Sequence, residues 1–163
     1  MSEARIHPSA TIDSGAEIGD GSMVWVNVQI REGAKIGKNC VLSKDVYVDC
    51  NVKIGDECKI QNSVSIYDGV TIESRVFVGP NASFTNDKVP RAFNTDWKIT
   101  KTLVQQGASL GANCTIICGI VIGEYSMIAA GSVVTKDVPS YTLVAGNPAR
   151  VVAKVDKAGN KIS

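Results

Sequence analysis

The chain has 163 residues, with 17 Lys and Arg against 16 Asp and Glu, 15 Gly, 5 Cys and one His, and a formal net charge of +1. This length suits one domain with its own core. A near-neutral chain offers no excess of Lys and Arg to a nucleic acid or an anionic membrane surface, so we expect neither as a partner. The apolar residues, 44% of the chain, are dispersed. No run approaches the roughly 18 to 20 residues that span a bilayer.

The N-terminal segment and the numbers of His and Cys residues indicate the compartment of the protein and the kinds of site it can hold. MSEARIHPSA lacks the apolar region of a secretory signal, which predicts a cytoplasmic protein. His7 is the only histidine, so neither a site of three imidazoles nor a Cys2His2 site fits in one chain, and we expect no metal. The five cysteines form no CxxC motif. Their odd number and a reducing compartment predict free thiols.

A six-residue repeat runs through most of the chain. The aliphatic residues that mark it are Ile6, Ile12, Ile18, Val24, Ile30, Ile36, Leu42, Val48, Ile54, Ile60, Ile66, Ile72 and Val78, then Phe84, and later Val104, Leu110, Ile116, Ile122, Ile128 and Val134. A small or β-branched residue such as Ala10 or Val28 follows four places later. This period matches neither a helix nor an alternating strand, but a short strand followed by a tight corner. Three such strands make a triangular coil of 18 residues, and successive coils stack about 4.8 Å apart.

Glycine and cysteine fall at regular places in this repeat. Glycines that directly follow the aliphatic residue are expected to allow an unusual backbone or a close approach at corners; they are Gly19, Gly37, Gly55, Gly79, Gly111 and Gly123. Cys40, Cys58 and Cys114 occupy the small inward position and are expected to fill the core. Cys50 and Cys118 fall at corners, where a thiol can be exposed. We expect no catalytic role for them, because no histidine is available to activate them.

The repeat is interrupted once and ends before the C-terminus. Val104 lies 20 residues after Phe84, which is not a multiple of six, so we expect an inserted loop over residues 86–103. The loop carries a mixture of apolar and basic side chains: Pro90, Arg91, Phe93, Trp97 and Lys98. Such a loop either carries binding groups or only packs on the prism wall or on a neighbouring subunit. We expect a β-helix domain over 1–154, with a C-terminal cap at 140–154, and a polar tail at 155–163.

The repeat over residues 6–139 resembles that of hexapeptide-repeat acyltransferases. A narrower resemblance rests on HPSA (7–10), KIQNSVSIYDGV (59–70), VFVGPNASFTND (76–87), PR (90–91), GASLGANCTIICGIVIG (107–123) and VPSYTLVAGNPAR (138–150). These segments are similar to N-acetyltransferases of nucleotide-linked 3-amino sugars, of the UDP-2-acetamido-3-amino-2,3-dideoxyglucuronate and dTDP-3-amino-3,6-dideoxyhexose types. The resemblance implies an all-β fold, a single-stranded left-handed parallel β-helix. It also implies acetyl-CoA as co-substrate and a homotrimer with active sites between subunits.

The same resemblance implies roles for individual residues. Asn86 is expected at the reacting amine or the thioester carbonyl, and Asp87 is expected to bind the ammonium group or accept its proton. The implied sugar and diphosphate ligands are Gln61, Asn62, Tyr67 and Arg91. The implied CoA site consists of Gly111, Ala112, Ala129 and Ala130 beside the pantetheine, with Lys136 and Arg150 for the phosphates. Gln29 stands where this subgroup commonly carries a histidine, so the sugar preference here can differ.

The expected reaction is N-acetylation of the amino group, at C3 or C4, of a UDP- or dTDP-linked amino sugar for surface-polysaccharide biosynthesis. A hydroxyl needs a base to remove its proton, whereas an amine with a pKa of about 8 is already about one-tenth neutral at pH 7. A single histidine near the N-terminus therefore favours an amine acceptor. The alternatives are a sugar O-acetyltransferase of the same fold and a non-catalytic β-helix scaffold. An acyl group larger than acetyl also stays open.

Overall fold

A computed structural model describes residues 2–162, all of them in strands, turns and loops. The strands are β1 (Arg5–Ile6), β2 (Thr11–Ile12), β3 (Glu17–Ile18), β4 (Met23–Val24), β5 (Gln29–Ile30), β6 (Lys35–Ile36), β7 (Val41–Leu42), β8 (Tyr47–Val48), β9 (Lys53–Ile54), β10 (Lys59–Ile60), β11 (Ser65–Ile66), β12 (Val70–Ile72), β13 (Phe77–Val78), β14 (Ser83–Phe84), β15 (Thr102–Val104), β16 (Ser109–Leu110), β17 (Thr115–Ile116), β18 (Val121–Ile122), β19 (Met127–Ile128), β20 (Val133–Val134), β21 (Thr142–Gly146), β22 (Ala149–Val155) and β23 (Lys161–Ile162). This part of the chain contains no helix that is long and apolar enough to cross a membrane.

Three parallel sheets form the faces of a triangular solenoid. Face A runs β1-β4-β7-β10-β13-β16-β19-β21, face B runs β2-β5-β8-β11-β14-β17-β20, and face C runs β3-β6-β9-β12-β15-β18. Strands pair in register one coil apart, as Arg5 does with Met23. We call the corners between faces the AB, BC and CA edges; in the middle of the solenoid they carry residues 61–63, 67–69 and 55–57, respectively. The predicted 18-residue coil and the all-β parallel solenoid are confirmed.

The core of the solenoid is the stack of inward-facing repeat positions. Aliphatic residues such as Ile30, Leu42 and Ile60 are fully buried in one continuous cluster. The first coil differs, because no described coil packs below it: Ile6 is 46% exposed, and Ile12 is only partly buried. The hexad pattern therefore predicts which way a residue points, whereas its burial also depends on neighbouring coils.

At most corners the chain makes a tight turn, and the residue three places after the repeat aliphatic residue has a positive φ. Asn39 (φ 54°) and Asn81 (φ 58°) are examples, and Asn and Gly are the residues that adopt this region most readily. The glycines that directly follow the aliphatic residue do not have a positive φ. They allow close approach instead, because a Cβ on Gly55 would lie 2.6 Å from the amide nitrogen of Ser74 in the next coil.

The structure confirms that Cys40, Cys58 and Cys114 are buried, and it corrects the expectation for Cys118. Cys118 is only 2% exposed, whereas Cys50 is half-buried. The reason is the base of the inserted loop: the Cys118 amide donates to Thr85 Oγ1 at 2.9 Å, and loop side chains cover the adjacent Gly119. All five thiols are free.

The inserted loop leaves the solenoid at the BC edge, and a hairpin covers the C-terminal end. The chain leaves after β14 and re-enters at β15, which begins at Thr102. At the C-terminus β21 pairs antiparallel with β22, and β22 pairs with β23. The segment expected as a polar tail thus contains a paired strand, Lys161–Ile162, while Ser163 lies outside the described residues.

Coil stacking at the corners predicts a contrast between two glycine substitutions. We expect Gly55→Ala to cost about 1–3 kcal/mol, because the added Cβ overlaps the backbone of the next coil. Gly131→Asn should be nearly neutral, because nothing lies within 4 Å of a Cβ there and Asn113 adopts the same positive φ one coil below. Urea unfolding midpoints at one fixed protein concentration measure both effects. Equal midpoints for the two variants would contradict this account of the glycines.

Candidate active site

The inserted loop encloses an open depression of about 460 Å³ on the BC edge. Its lining residues are Asn86, Asp87, Pro90, Arg91, Ala92, Asn94 and Trp97. Three residues expected from the sequence, Asn86, Asp87 and Arg91, therefore lie around one depression. We call it the loop depression.

Asn86 replaces a backbone hydrogen bond that the departing loop leaves unmade. At a regular corner a carbonyl accepts from the amide of the coil above, as Glu32 O does from Asn51 N at 3.1 Å. At Asp68 the chain of the coil above turns away, and the Asn86 side-chain Nδ2 donates to Asp68 O instead, at 3.2 Å. The Asn86 carbonyl accepts from Thr100 N at 2.8 Å, which closes the base of the loop.

These bonds use only part of the hydrogen-bonding capacity of the Asn86 side chain. Its amide has two hydrogens and one oxygen, and only one hydrogen is used. Within the described residues, Oδ1 and the second N–H have no partner. Asn86 therefore has both a structural role and free donor and acceptor capacity at the edge of the loop depression.

Asp87 and Arg91 lie beside Asn86 in the lining of the loop depression, and each has polar atoms without a hydrogen-bond partner within the described residues. Asp87 is half-buried, and its Oδ1 accepts from Val89 N at 2.8 Å, which shapes the first turn of the loop. Arg91 is exposed, and its Nη1 donates to Pro90 O at 2.8 Å. A carboxylate and a guanidinium thus flank the free amide of Asn86, an arrangement that suits a ligand carrying both an amine and an anionic group.

Below Asn86, the BC edge carries a polar cluster that sequence reasoning missed. Tyr67, which was expected, packs its ring against that of Tyr47 with centroids 5.9 Å apart. The Tyr47 hydroxyl donates to Asp49 Oδ1 at 3.0 Å and accepts from Arg31 Nη1 at 3.4 Å. Arg31 also pairs with Asp13 at 2.8 Å. The 18-residue spacing of positions 13, 31, 49 and 67 is the signal that could have indicated this column.

The electrostatics of the cluster favour a charged Asp49. Burial works against the carboxylate, but hydrogen bonds from the amides of Cys50 and Asp68 and from the Tyr47 hydroxyl outweigh it, so the pKa of Asp49 lies below its ordinary value. Burial, and then the hydrogen bond to Asp49, raise the pKa of Tyr47 above its ordinary value. At neutral pH, Asp49 is therefore an anion that accepts hydrogen bonds, and Tyr47 is a neutral donor.

The other expected substrate ligands and the expected pantetheine contacts lie on a different edge. The AB edge carries Gln61, Asn62, Gly111, Ala112, Ala129 and Ala130. Adjacent edges are six residues apart along the chain, a span of up to roughly 20 Å at about 3.3 Å per residue. None of these residues lines the loop depression, and a single chain places them on a different edge from Asn86.

The AB edge has features of its own. A Cβ on Gly111 would lie 2.7 Å from Ile128 O, so coil stacking already requires this glycine. The amides of Ala112 and Ala130, which stack one above the other, have no hydrogen-bond partner within the described residues. These two N–H groups lie one above the other at two successive corners of the AB edge, where the neighbouring residues are Gly111 and Ala129.

Lys136 and Arg150 lie together at the C-terminal end. Both line one depression of about 160 Å³, with Asp137 and Ala149 among their neighbours. Both side chains are exposed. The C-terminal hairpin thus brings into one place two cations that are distant in sequence.

His7 lies far from the loop depression. It sits on the AB edge in the first coil, where Nδ1 lies 2.9 Å from the Ser9 hydroxyl. Four coils separate it from the coil that carries Asn86, or roughly 19 Å at about 4.8 Å per coil. Residues 2–162 also contain no group of three or more His, Cys, Asp or Glu side chains arranged to hold a metal ion.

The fold and the repeat define a hexapeptide-repeat solenoid, and sequence comparison identifies the family. The profile described as bacterial transferase hexapeptide (six repeats) matches residues 15–50, 51–86 and 101–136. A second profile, hexapeptide repeat of succinyl-transferase, matches residues 33–68. The chain belongs to the bacterial transferase hexapeptide family.

Individual relatives are named as acetyltransferases. A dTDP-3-amino-3,6-dideoxy-alpha-D-galactopyranose 3-N-acetyltransferase from Aneurinibacillus thermoaerophilus is 52% identical over 62 residues, which cover 38% of this chain and 32% of that protein. Serine acetyltransferase 2 from Arabidopsis thaliana is 40% identical over 96 residues, which cover 59% of this chain and 24% of that protein. The matches thus span about a third or less of these curated relatives.

Solved structures share the fold. A hexapeptide-repeat-containing acetyltransferase from Vibrio cholerae, complexed with acetyl coenzyme A, has a TM-score of 0.67 and 28% identity, over 74% of this chain and 70% of that one. A mutant of GDP-perosamine N-acetyl transferase from Caulobacter crescentus, in complex with CoA and GDP-perosamine, has a TM-score of 0.64 and 22% identity, over 94% of this chain and 58% of that one. The second likeness concerns the fold alone.

The burial of the cysteines predicts selective thiol labelling. In the folded protein we expect only Cys50 to react with a thiol reagent such as DTNB. Burial and then the charge of Asp49 raise the pKa of Cys50. Because the thiolate is the reactive form, its labelling rate should keep rising above pH 8.5 or so, where that of an ordinary cysteine levels off.

Stopped-flow labelling between pH 7 and pH 10 measures this profile. Cys50→Ser should abolish the reaction in the folded protein, and unfolding in urea should expose all remaining thiols. Rapid labelling of Cys118 in the folded protein would contradict its burial beneath the loop.

Proposed function

We propose that this chain is an acetyl-CoA-dependent N-acetyltransferase that acts in the cytoplasm on the amino group, at C3, of a UDP- or dTDP-linked amino sugar for surface-polysaccharide biosynthesis. The observation that carries the proposal is the free amide capacity of Asn86, at the base of a loop depression that also holds Asp87 and Arg91. The similarity to a 3-N-acetyltransferase of a dTDP-linked amino sugar supports the acceptor class.

The division of the candidate residues between two edges supports a site built from two copies of the chain. We propose a homotrimer of parallel solenoids in which the BC edge of one copy faces the AB edge of the next. The Asn86 side of one subunit then meets the small-residue edge of its neighbour. The loop adds exposed apolar side chains that suit a protein contact, since Phe93 is 82% exposed and Val89 is 63% exposed.

Acetyl-CoA then lies in the groove between the two solenoids. The free N–H groups of Ala112 and Ala130 are donors for the carbonyl oxygens of the pantetheine arm or of the thioester. Gly111 and Ala129 keep the edge narrow enough for close approach. At the C-terminal end, Lys136 and Arg150 offer two positive charges to the phosphates of CoA.

The chemistry consists mainly of positioning. Asn86 Oδ1 accepts a hydrogen bond from the neutral amine and directs its lone pair at the thioester carbon. The C–N bond forms first and gives a tetrahedral intermediate, whose oxyanion is stabilised by backbone N–H groups. Asp87 accepts the proton that the amine loses, the C–S bond then breaks, and Asp87 passes this proton to the departing thiolate of CoA. No histidine is needed, because about a tenth of an amine with a pKa of about 8 is neutral at pH 7.

A second candidate is O-acetylation, which the match to serine acetyltransferases favours. A hydroxyl acceptor needs a general base near the reacting atoms. The single His7 lies on the AB edge of the first coil, four coils away from Asn86. Neighbouring parallel solenoids in a trimer would hold their His7 at the same distant level. The geometry therefore supports the amine acceptor over the hydroxyl.

A panel of UDP- and dTDP-linked amino sugars tests the proposed reaction. We expect acetyl-CoA to add one acetyl group to a 3-amino sugar nucleotide, observed by mass spectrometry as a gain of one acetyl unit that resists mild alkaline hydrolysis. The matching 3-hydroxy sugar nucleotides and serine are the controls. Acetylation of a hydroxyl but of no amine would favour the O-acetyltransferase.

The same sample separates an enzyme from a scaffold. Acetyl-CoA at 100 times its Kd should stabilise the folded protein by about 2.7 kcal/mol, seen as a rise in melting temperature. No shift and no turnover together would support the non-catalytic scaffold.

Substitution of Asn86 separates its structural role from its catalytic one. Asn86→Ala removes the bond to Asp68 and the acceptor for the amine. We expect kcat to fall about a hundredfold, with little change in KM for acetyl-CoA, because the loss concerns orientation in the transition state. Steady-state kinetics measure this split.

Asn39→Gly is the matched control, because it removes an asparagine side chain at a CA-edge corner without backbone strain (φ 54°). It should leave kcat unchanged. If Asn86→Ala lowered the melting temperature but not kcat, Asn86 would be a structural residue only.

A further inference from the structure

Asp49 holds two successive coils of the BC edge together directly below Asn86. Its Oδ1 accepts from Cys50 N at 2.8 Å and from the Tyr47 hydroxyl at 3.0 Å. Its Oδ2 accepts from Asp68 N at 3.2 Å. The carboxylate therefore binds one backbone amide of its own coil and one of the coil above.

The residue that Asp49 holds is the one that holds Asn86. Asp68 donates its amide to Asp49, and its carbonyl accepts from Asn86 Nδ2 at 3.2 Å. Asn51 Nδ2 donates a hydrogen bond to Asp68 Oδ2 at 3.3 Å. A continuous path thus runs from the Asp49 carboxylate through one residue, Asp68, to the side-chain amide that the proposed reaction uses.

The other residues of the same column do not do this. Asp13 is the equivalent residue two coils below and is half-buried like Asp49, but its carboxylate pairs with the Arg31 side chain rather than with a backbone amide. Tyr67 is the equivalent residue one coil above and contributes its ring. In this column only the Asp49 carboxylate accepts from a backbone amide of the coil above. That amide belongs to Asp68, whose carbonyl lacks the regular corner hydrogen bond because the loop departs there.

We propose that Asp49 is a positioning residue for the acetyl transfer: through Asp68 it sets the orientation of the Asn86 side-chain amide. This inference rests on the function proposed above. It assigns Asp49 no contact with substrate, so its removal should affect the rate of the chemical step more than the binding of acetyl-CoA.

Asp49→Asn tests the proposal with almost no change in volume. An asparagine has one acceptor oxygen, so its NH2 group would face either the Cys50 amide or the Asp68 amide, and a donor would meet a donor. We expect kcat to fall about tenfold and KM for acetyl-CoA to stay within about twofold, as for a small misplacement of a catalytic group. Asp56→Asn is the matched control, because the Asp56 carboxylate also accepts from a backbone amide of a neighbouring coil, Lys38 N at 2.7 Å, but on the CA edge. It should leave both constants unchanged.

A double-mutant cycle with Asn86→Ala supplies the readout that a general structural defect would not mimic. If Asp49 acts through Asn86, adding Asp49→Asn to Asn86→Ala should lower kcat no further. A further tenfold loss in that background would overturn the proposal, as would an unchanged kcat in Asp49→Asn alone. A rise in KM at constant kcat would also overturn it.

Two results keep this test separate from that of the proposed function. If the unsubstituted protein acetylates none of the amino sugar nucleotides, the proposed function fails and this inference fails with it. If the protein is active and Asn86→Ala is impaired while Asp49→Asn is not, the inference alone fails. Should Asp49→Asn not fold, Tyr47→Phe removes one donor to the same carboxylate and should lower kcat about threefold, again without effect in the Asn86→Ala background.

Discussion

The stacking of each coil on the one before it, through in-register backbone hydrogen bonds, is the constraint on which the rest of this structure depends. Each face adds one short strand per coil, and each corner adds a carbonyl that accepts from the amide of the next coil. This arrangement leaves no room for side chains where the backbones of two corners meet. It explains Gly55 and Gly111 by packing alone, so a glycine at such a corner is not by itself evidence of a ligand.

The candidate site arises where this stacking is broken. When the loop leaves the BC edge, the carbonyl of Asp68 loses the amide that the next coil would have supplied. Asn86 supplies a side-chain amide in its place, and Asp49 holds Asp68 from the opposite side. Asn86 and Asp49 therefore replace or support backbone hydrogen bonds between coils near the loop depression. These bonds fix the positions of both side chains, even though they lie at the base of an exposed loop. A rigid scaffold with one local interruption is a favourable place for a group that must orient a substrate.

Most of the fold could be predicted from the sequence, because a period of six specifies strand, corner and inward face at once. The site could be predicted only in part. Asn86, Asp87 and Arg91 do lie together, since they are close in sequence beside the interruption. The role of Asp49 and the burial of Cys118 were missed. The first depends on side-chain contacts between coils and the second on where the base of the loop folds back, and a six-residue period carries no information about either. The division of the other expected residues between two edges could have been read from the register, since Gln61 and Tyr67 are one corner apart.

The candidate residues are divided between two edges of the solenoid, and this division determines how the proposed reaction is organised. A single solenoid presents an amide, a carboxylate and a guanidinium on one edge, and free backbone donors with small side chains on another. The first set suits an amine and an anionic group, and the second suits the long, narrow arm of a thioester. The two edges are different corners of one solenoid, so the proposed site takes one edge from each of two copies of the chain and needs no change of fold. Acyl transfer by this protein, as proposed, is therefore a property of the assembly, and the single chain supplies two complementary halves of the site.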